Sequence, residues 1–192
     1  MRILITGSEG FIGRNLVNFL SNKGLDLFSM GIKKLDRENH FCISSVTSYS
    51  EIKKVLENIK PDLIFHLAGS PVGDEEEQEE LNFEFSRILA EILKDLSLLK
   101  TRLILMGTAA EYGFVPETIL PINESQETNP YSLYGRTKLK QTDYFISGEA
   151  KPLNYIIIRP FNIYGPGMPD YLSISNFVKQ IKAINLKRTS ND

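Results

Sequence analysis

Cysteine occurs once in these 192 residues, as Cys42, so no internal disulfide can form. That fits a reducing compartment, and the residue itself reads as a small, buried apolar side chain. Neither sign of charge is in excess: 22 basic residues face 24 acidic ones, which leaves nothing to draw nucleic acid or an anionic membrane surface. No apolar run approaches the ~20 residues that span a bilayer. Met1 leads straight into a strand-like run, without the basic start, apolar centre and small-residue cleavage site of a signal peptide. A cytoplasmic protein is the expectation. No internal repeat is present. The only biased segment, DEEEQEE at 74–80, reads as the solvated first turn of a helix, where acidic groups suit the dipole, and no metal site is expected.

Glycine, by contrast, is concentrated where it has consequences. The chain begins MRILITGSEGFIGRNLVNFL: an aliphatic run, three glycines at Gly7, Gly10 and Gly13, then apolar residues at helical spacing. Glycine at a strand-to-helix turn permits positive φ and close approach, and the helix N-terminus behind it offers unpaired N–H groups and a positive dipole end. That combination suits a pyrophosphate. The G-x-x-G-x-x-G spacing is one residue wider at its first gap than the dinucleotide fingerprint, and a closely packed turn could carry the same glycines.

Further strands are expected at 25–30, 41–43, 63–69, 102–107 and 154–160, with helices at 50–59, 75–99 and 131–146. Continuous apolar strands alternating with amphipathic helices imply an α/β fold, a doubly wound parallel sheet of Rossmann type covered on both faces. Residues 1–165 would form this domain. Residues 166–192, with a helix at 173–184, would be the start of a C-terminal substrate lobe that is otherwise largely absent.

The stretch NPYSLYGRTKLK puts Tyr134 and Lys138 four residues apart, on one face of a helix. A phenol is a poor acid or base near neutrality because its ordinary pKa is about 10, but an adjacent ammonium favours the phenolate. Thr108 ends the strand RLILMG–T, where open α/β sheets gather their ligands, and its hydroxyl can hold a carbonyl or alcohol oxygen. A local bond to the turn backbone is the plainer alternative for that hydroxyl.

TGSEGFIG, HLAG, GTAAEYG, YGRTK and RPFNIYGPG follow one another in the order seen in the extended short-chain dehydrogenases/reductases, the nucleotide-sugar epimerase, dehydratase and reductase group, which this chain resembles over nearly its whole length. The resemblance implies a Rossmann domain carrying NAD or NADP. Gly7, Gly10 and Gly13 would contact the pyrophosphate, with Phe11 and Ile12 supplying backbone; Leu67, Ala68 and Pro160 would flank the cofactor. Tyr134 would be the acid/base, Lys138 would hold the nicotinamide ribose, and Thr108 would bind the reacting sugar oxygen, with Asn82, Glu111 and Asn162 at the substrate. His66 is taken as structural. A homodimer through a bundle of the helices near 78–99 and 131–147 is implied as well.

Departures from the family pattern also inform. The second strand ends SMGIKK, without the carboxylate that binds the ribose hydroxyls of NAD, and Lys33 with Lys34 would suit a 2′-phosphate. NADP is therefore favoured, with NAD possible. Ala109 and Ala110 stand where the dehydratase branch has Asp-Glu, which disfavours elimination, and the segment EYGFVPETILPINESQETNPYSLYG looks most like the branch of GDP-4-keto-6-deoxymannose reductases. The expectation is an NAD(P)(H)-dependent reductase or epimerase acting on a nucleotide-linked hexose; the alternative is a non-catalytic NAD(P)-binding module, or an inactive truncated relic of such an enzyme.

Overall fold

The computed structural model describes residues 1–170 and 172–189. The chain forms two compact units, Met1–Phe161 and Asn162–Asp192. The first holds six parallel strands in the order β3-β2-β1-β4-β5-β6, with β1 Arg2–Thr6, β2 Asp26–Gly31, β3 His40–Cys42, β4 Leu63–His66, β5 Arg102–Met106 and β6 Asn154–Ile158. The aliphatic runs lie in the middle of this sheet, where both faces are covered: Ile3, Leu4, Ile5, Ile64, Leu103 and Leu105 are all essentially inaccessible. The order reverses between β1 and β4; β2 and β4 flank β1 and both pair with it as far as Thr6, and that reversal opens a crevice at the carboxyl ends of the strands.

Helices α1 Phe11–Leu20, α2 Tyr49–Ile59 and α5 Leu133–Ile146 fall where the periodicity placed them. The expected single helix at 75–99 is more elaborate. It starts as α3 Glu75–Glu79, widens into a π turn at Glu80–Glu84, and continues as α4 Phe85–Asp95. The Phe85 N–H donates to the Glu80 carbonyl, five residues back, so one residue more than α geometry allows is fitted into that turn. Asp74 and Glu77 form a capping box at its start, which accounts for the acidic run.

Two expectations are corrected. The strands at 63–69, 102–107 and 154–160 end earlier, at His66, Met106 and Ile158, with only single further bonds such as Gly107 N–H to the Ile158 carbonyl (2.8 Å) beyond the last paired residues. Cys42 is exposed rather than buried: β3 is the short edge strand, and the thiol sits outside it, donating to the Ile32 carbonyl at 3.1 Å. At the opposite edge β6 alternates, with Ile156 and Ile158 45% and 43% exposed.

The second unit contains α6 Ser173–Thr189, preceded by tight turns at Gly165–Met168 and Pro169–Leu172; Lys179 pairs with Asp170. No helix is long and apolar enough to cross a membrane among the described residues.

Candidate active site

The three glycines close a tight cradle. Gly7 has φ +68°, and a Cβ on it would stand 2.7 Å from the Ala68 nitrogen, so the loop is pressed against the end of β4. A Cβ on Gly13 would lie 2.1 Å from the Gly7 carbonyl oxygen, and one on Gly10 3.2 Å from the same atom. Gly10 is the N-cap of α1 and offers no side-chain cap, and no acidic residue stands in the first turn. The N–H groups of the first turn, Phe11, Ile12 and Gly13 among them, therefore have the helix geometry that suits an anion. A cleft of about 300 Å³ opens there, lined by Gly7, Gly10, Leu67, Ala68 and Gly69 on one side and Glu9, Met30, Gly31 and Val46 on the other.

On the far side of the cleft β2 ends at Gly31, and the Glu9 side chain lies over that residue. Lys33 and Lys34 are exposed beyond it. His40 fixes this corner: its Nε2 pairs with the Lys33 carbonyl at 2.8 Å and must donate to it, which leaves Nδ1 to accept from the Ser29 hydroxyl at 2.8 Å.

At the other end of the crevice, Ser132 caps α5 by accepting from the Gly135 N–H, and the helix then presents Tyr134 and Lys138 one turn apart. Lys138 is only 1% exposed, and among the described residues its Nζ has no hydrogen-bond partner. The ammonium and the Asn82 Oδ1 each lie 3.0 Å from the point where Gly69 would carry a Cβ, so Gly69 keeps that space open. Burial pushes the amine down to about 8, against a weaker opposing pull from the Glu111 carboxylate. Because the folded chain gives up this proton more readily than the unfolded chain, charged Lys138 costs stability below pH 8. The cost fades as pH rises from 8 towards 10.5. Lys138→Met is expected to stabilise the chain at pH 7 by about 2 kcal/mol and to remove the gain between pH 8 and 10. Urea denaturation at the two pH values checks both.

Tyr134 departs from expectation. Burial is the largest influence on its phenol and raises its pKa above the ordinary value; the Thr108 hydroxyl bonded to it works the other way, and the Glu111 carboxylate adds to the rise. The lysine, expected to loosen the phenolic proton, does not figure among these influences. Thr108 also makes the local bond considered for it, its Oγ1 accepting from the Ala110 N–H at 3.2 Å.

Glu111, expected at the substrate, is fully buried. Its carboxylate accepts from the Thr108 N–H (2.9 Å), the Thr142 hydroxyl (2.9 Å) and Arg159 Nε (2.7 Å). The Pro160 carbonyl accepts from the Ala109 N–H at 2.9 Å, tying the end of β6 to the turn that carries Thr108. Asn82 sits in the π turn and is fully buried; it brackets Ser70, accepting from its N–H and donating to its carbonyl, both at 2.9 Å, and donates to the Thr137 hydroxyl at 3.0 Å. His66 bonds Thr6 Oγ1 at 2.9 Å, meets the Phe85 ring edge-on, and is held neutral by burial and by Lys138, its pKa near 3. Asn162 opens the second unit and is exposed. Among the described residues no cluster of His, Cys, Asp or Glu could hold a metal ion.

Sequence reasoning passed over Gly69, Glu9, Thr142 and Arg159. Gly69, Glu9 and Arg159 lie inside quoted motifs, and their places in HLAG, TGSEGFIG and RPFNIYGPG were the available signal; nothing local marks Thr142.

The strand order and the glycine cradle at the switch point define a dinucleotide-fold protein of the Rossmann class. Within that class the chain belongs to the NAD dependent epimerase/dehydratase family, whose sequence model matches residues 3–189. It is 29% identical to a GDP-6-deoxy-D-talose 4-dehydrogenase of Aggregatibacter actinomycetemcomitans over 97% of this chain and 62% of that protein. It is 33% identical to a probable dTDP-4,6-dihydroxy-2-methyloxan-3-one 4-ketoreductase of Streptomyces antibioticus over 72% of this chain and 44% of that one. The crystal structure of the Bordetella bronchiseptica enzyme WbmG in complex with NAD superposes with a TM-score of 0.80 at 26% identity, covering 95% of this chain and 60% of that one. The chain thus spans less than two thirds of the length of these relatives.

Proposed function

We propose that this chain is the coenzyme-binding and catalytic part of an NAD(P)(H)-dependent oxidoreductase of nucleotide sugars, reducing or epimerising a hexose at C4. The observation that carries the reading is the buried Lys138 ammonium, without a hydrogen-bond partner among the described residues, in a space kept open by Gly69 and one helical turn from Tyr134. An unpaired buried cation is costly and is retained where a ligand satisfies it. The relatives named for 4-dehydrogenation and 4-ketoreduction support C4 as the reacting carbon.

The glycine cradle and the open start of α1 would hold the pyrophosphate, Leu67 and Ala68 the cofactor's flank, and Lys138 the hydroxyls of the nicotinamide ribose. The nicotinamide supplies or accepts the hydride. Tyr134, kept protonated by burial, would donate its proton to the oxygen of a keto sugar as that oxygen becomes an alcohol, or accept one in the reverse direction. Thr108 would hold the same oxygen. We assign Glu111 to a positioning role in place of substrate contact, since its carboxylate is engaged by Thr108, Thr142 and Arg159. Asn82 would fix the loop over the ribose through Ser70, and Asn162 and the second unit would begin the substrate lobe.

On the adenosine side, the charge of Lys33 and Lys34 speaks for a 2′-phosphate and the carboxylate of Glu9 against it. Cytoplasmic location and a homodimer through the 75–95 helix and α5 belong to the same proposal. The dimer rests on the resemblance rather than on an open apolar face, since this helix pair carries the ion pairs Lys140–Glu79 and Arg87–Glu84.

Calorimetric titration with NADH and NADPH, followed by turnover on 4-keto nucleotide sugars, tests the reading. Binding of at least one coenzyme with sugar-dependent oxidation is expected. Absence of binding to either overturns it, and binding without turnover would identify a nucleotide-binding module instead.

A further inference from the structure

We infer that Glu9 supplies, from the glycine loop, the acid that the second strand lacks, and that it selects NAD(H) over NADP(H). The inference rests on the dinucleotide reading above. In this fold a carboxylate at the end of the second strand accepts hydrogen bonds from the adenosine ribose hydroxyls. Here that strand ends at Gly31, which is buried and has no side chain to offer. The space is nonetheless filled by a carboxylate. A Cβ built on Gly31 would lie 3.3 Å from Glu9 Oε1, 3.6 Å from Oε2 and 3.8 Å from the carboxyl carbon. The Glu9 carboxylate therefore lies beside the point from which an aspartate at position 31 would extend its own.

Three further features agree. Glu9 lines the cleft together with Gly7, Gly10 and Gly31, so its carboxylate faces the space the adenosine half would enter. Its oxygens have acceptor capacity to spare: among the described residues the hydrogen bond to that carboxylate is a long one, from the Ser8 hydroxyl at 3.5 Å. Lys33 and Lys34 are exposed beyond the strand and are not among the residues lining the cleft. A carboxylate in this place accepts from 2′- and 3′-hydroxyls and repels a 2′-phosphate dianion at short range. The preference read from the strand end alone is thereby reversed. Glu9 and Gly31 also act as one device, since any side chain at position 31 would meet the Glu9 carboxylate.

Dissociation constants for NADH and NADPH, measured by nucleotide fluorescence on the 192-residue chain and its variants, test this without reference to turnover. The unaltered chain should bind NADH at least about tenfold more tightly than NADPH, the worth of one charge-assisted hydrogen bond. Glu9→Gln, which keeps size and removes charge, should weaken NADH and strengthen NADPH until the ratio is near one. In Glu9→Ala/Gly31→Asp the acid returns to the strand, and the preference for NADH should return with it; Gly31 does not have a positive φ that would oppose the side chain. Equal or tighter binding of NADPH by the unaltered chain, or an unchanged ratio in Glu9→Gln, overturns the inference and leaves the dinucleotide reading standing. Failure of every form to bind either coenzyme overturns both.

Discussion

Tyr134→Phe is expected to lower turnover about a thousandfold while leaving coenzyme affinity within about a factor of two, because proton transfer by a positioned group contributes roughly a hundred- to ten-thousandfold. The substitution removes one oxygen from a half-buried ring whose packing is otherwise unchanged, and Thr108 keeps its bond to the Ala110 N–H. Since burial raises the phenol above its ordinary pKa, the two directions should respond differently to pH. Keto reduction needs the protonated phenol and should hold steady through neutrality. Alcohol oxidation needs the phenolate and should climb with pH over the same range. Initial rates in both directions between pH 6 and 10 check this, and a phenylalanine variant that keeps most of its turnover would remove Tyr134 from proton transfer.

Gly13→Ala is expected to cost more than about 3 kcal/mol of stability and to abolish dinucleotide binding with it, since overpacking against backbone leaves nothing flexible to yield. The added methyl would stand 2.1 Å from the Gly7 carbonyl oxygen and 2.7 Å from the Ser8 Cα, so α1 must separate from the loop that precedes it. Gly24→Ala is the control. Gly24 has φ +65° but open space around it, so only the backbone preference is lost, about 1 kcal/mol. Urea midpoints of the two variants, read beside NADH titrations, separate crowding at the cradle from a general dislike of alanine. A Gly13→Ala chain as stable as Gly24→Ala would contradict the geometry of the loop.

The parallel sheet and the location of the crevice were legible because the aliphatic runs of the central strands, glycine punctuation and helical periodicity all agree. The Tyr134–Lys138 pair was legible for a simpler reason, since four residues on a helix make one face. What escaped depends on partners distant in sequence. Glu111 reads as a polar residue near the site, yet Arg159 and Thr142, which draw it inward, lie 48 and 31 positions away. Cys42 has the composition of a core residue, and only the edge position of β3 turns it outward. The pKa of Tyr134 was misjudged because spacing reveals the neighbouring charge but not the depth of burial, which here prevails. The Glu9–Gly31 exchange was hidden because each half looks like a mere departure until the two are seen side by side.

The widened turn at Glu80–Glu84 has a consequence for how this helix divides its duties. A single surplus residue sets the two halves out of phase by about a quarter of a revolution. Leu89, Ile92 and Leu93 can then face inward to the sheet while Asn82 is aimed at the loop after β4. The apparent irregularity is a gear change, and it lets one rod serve as wall for the hydrophobic interior and as hinge-pin for Ser70.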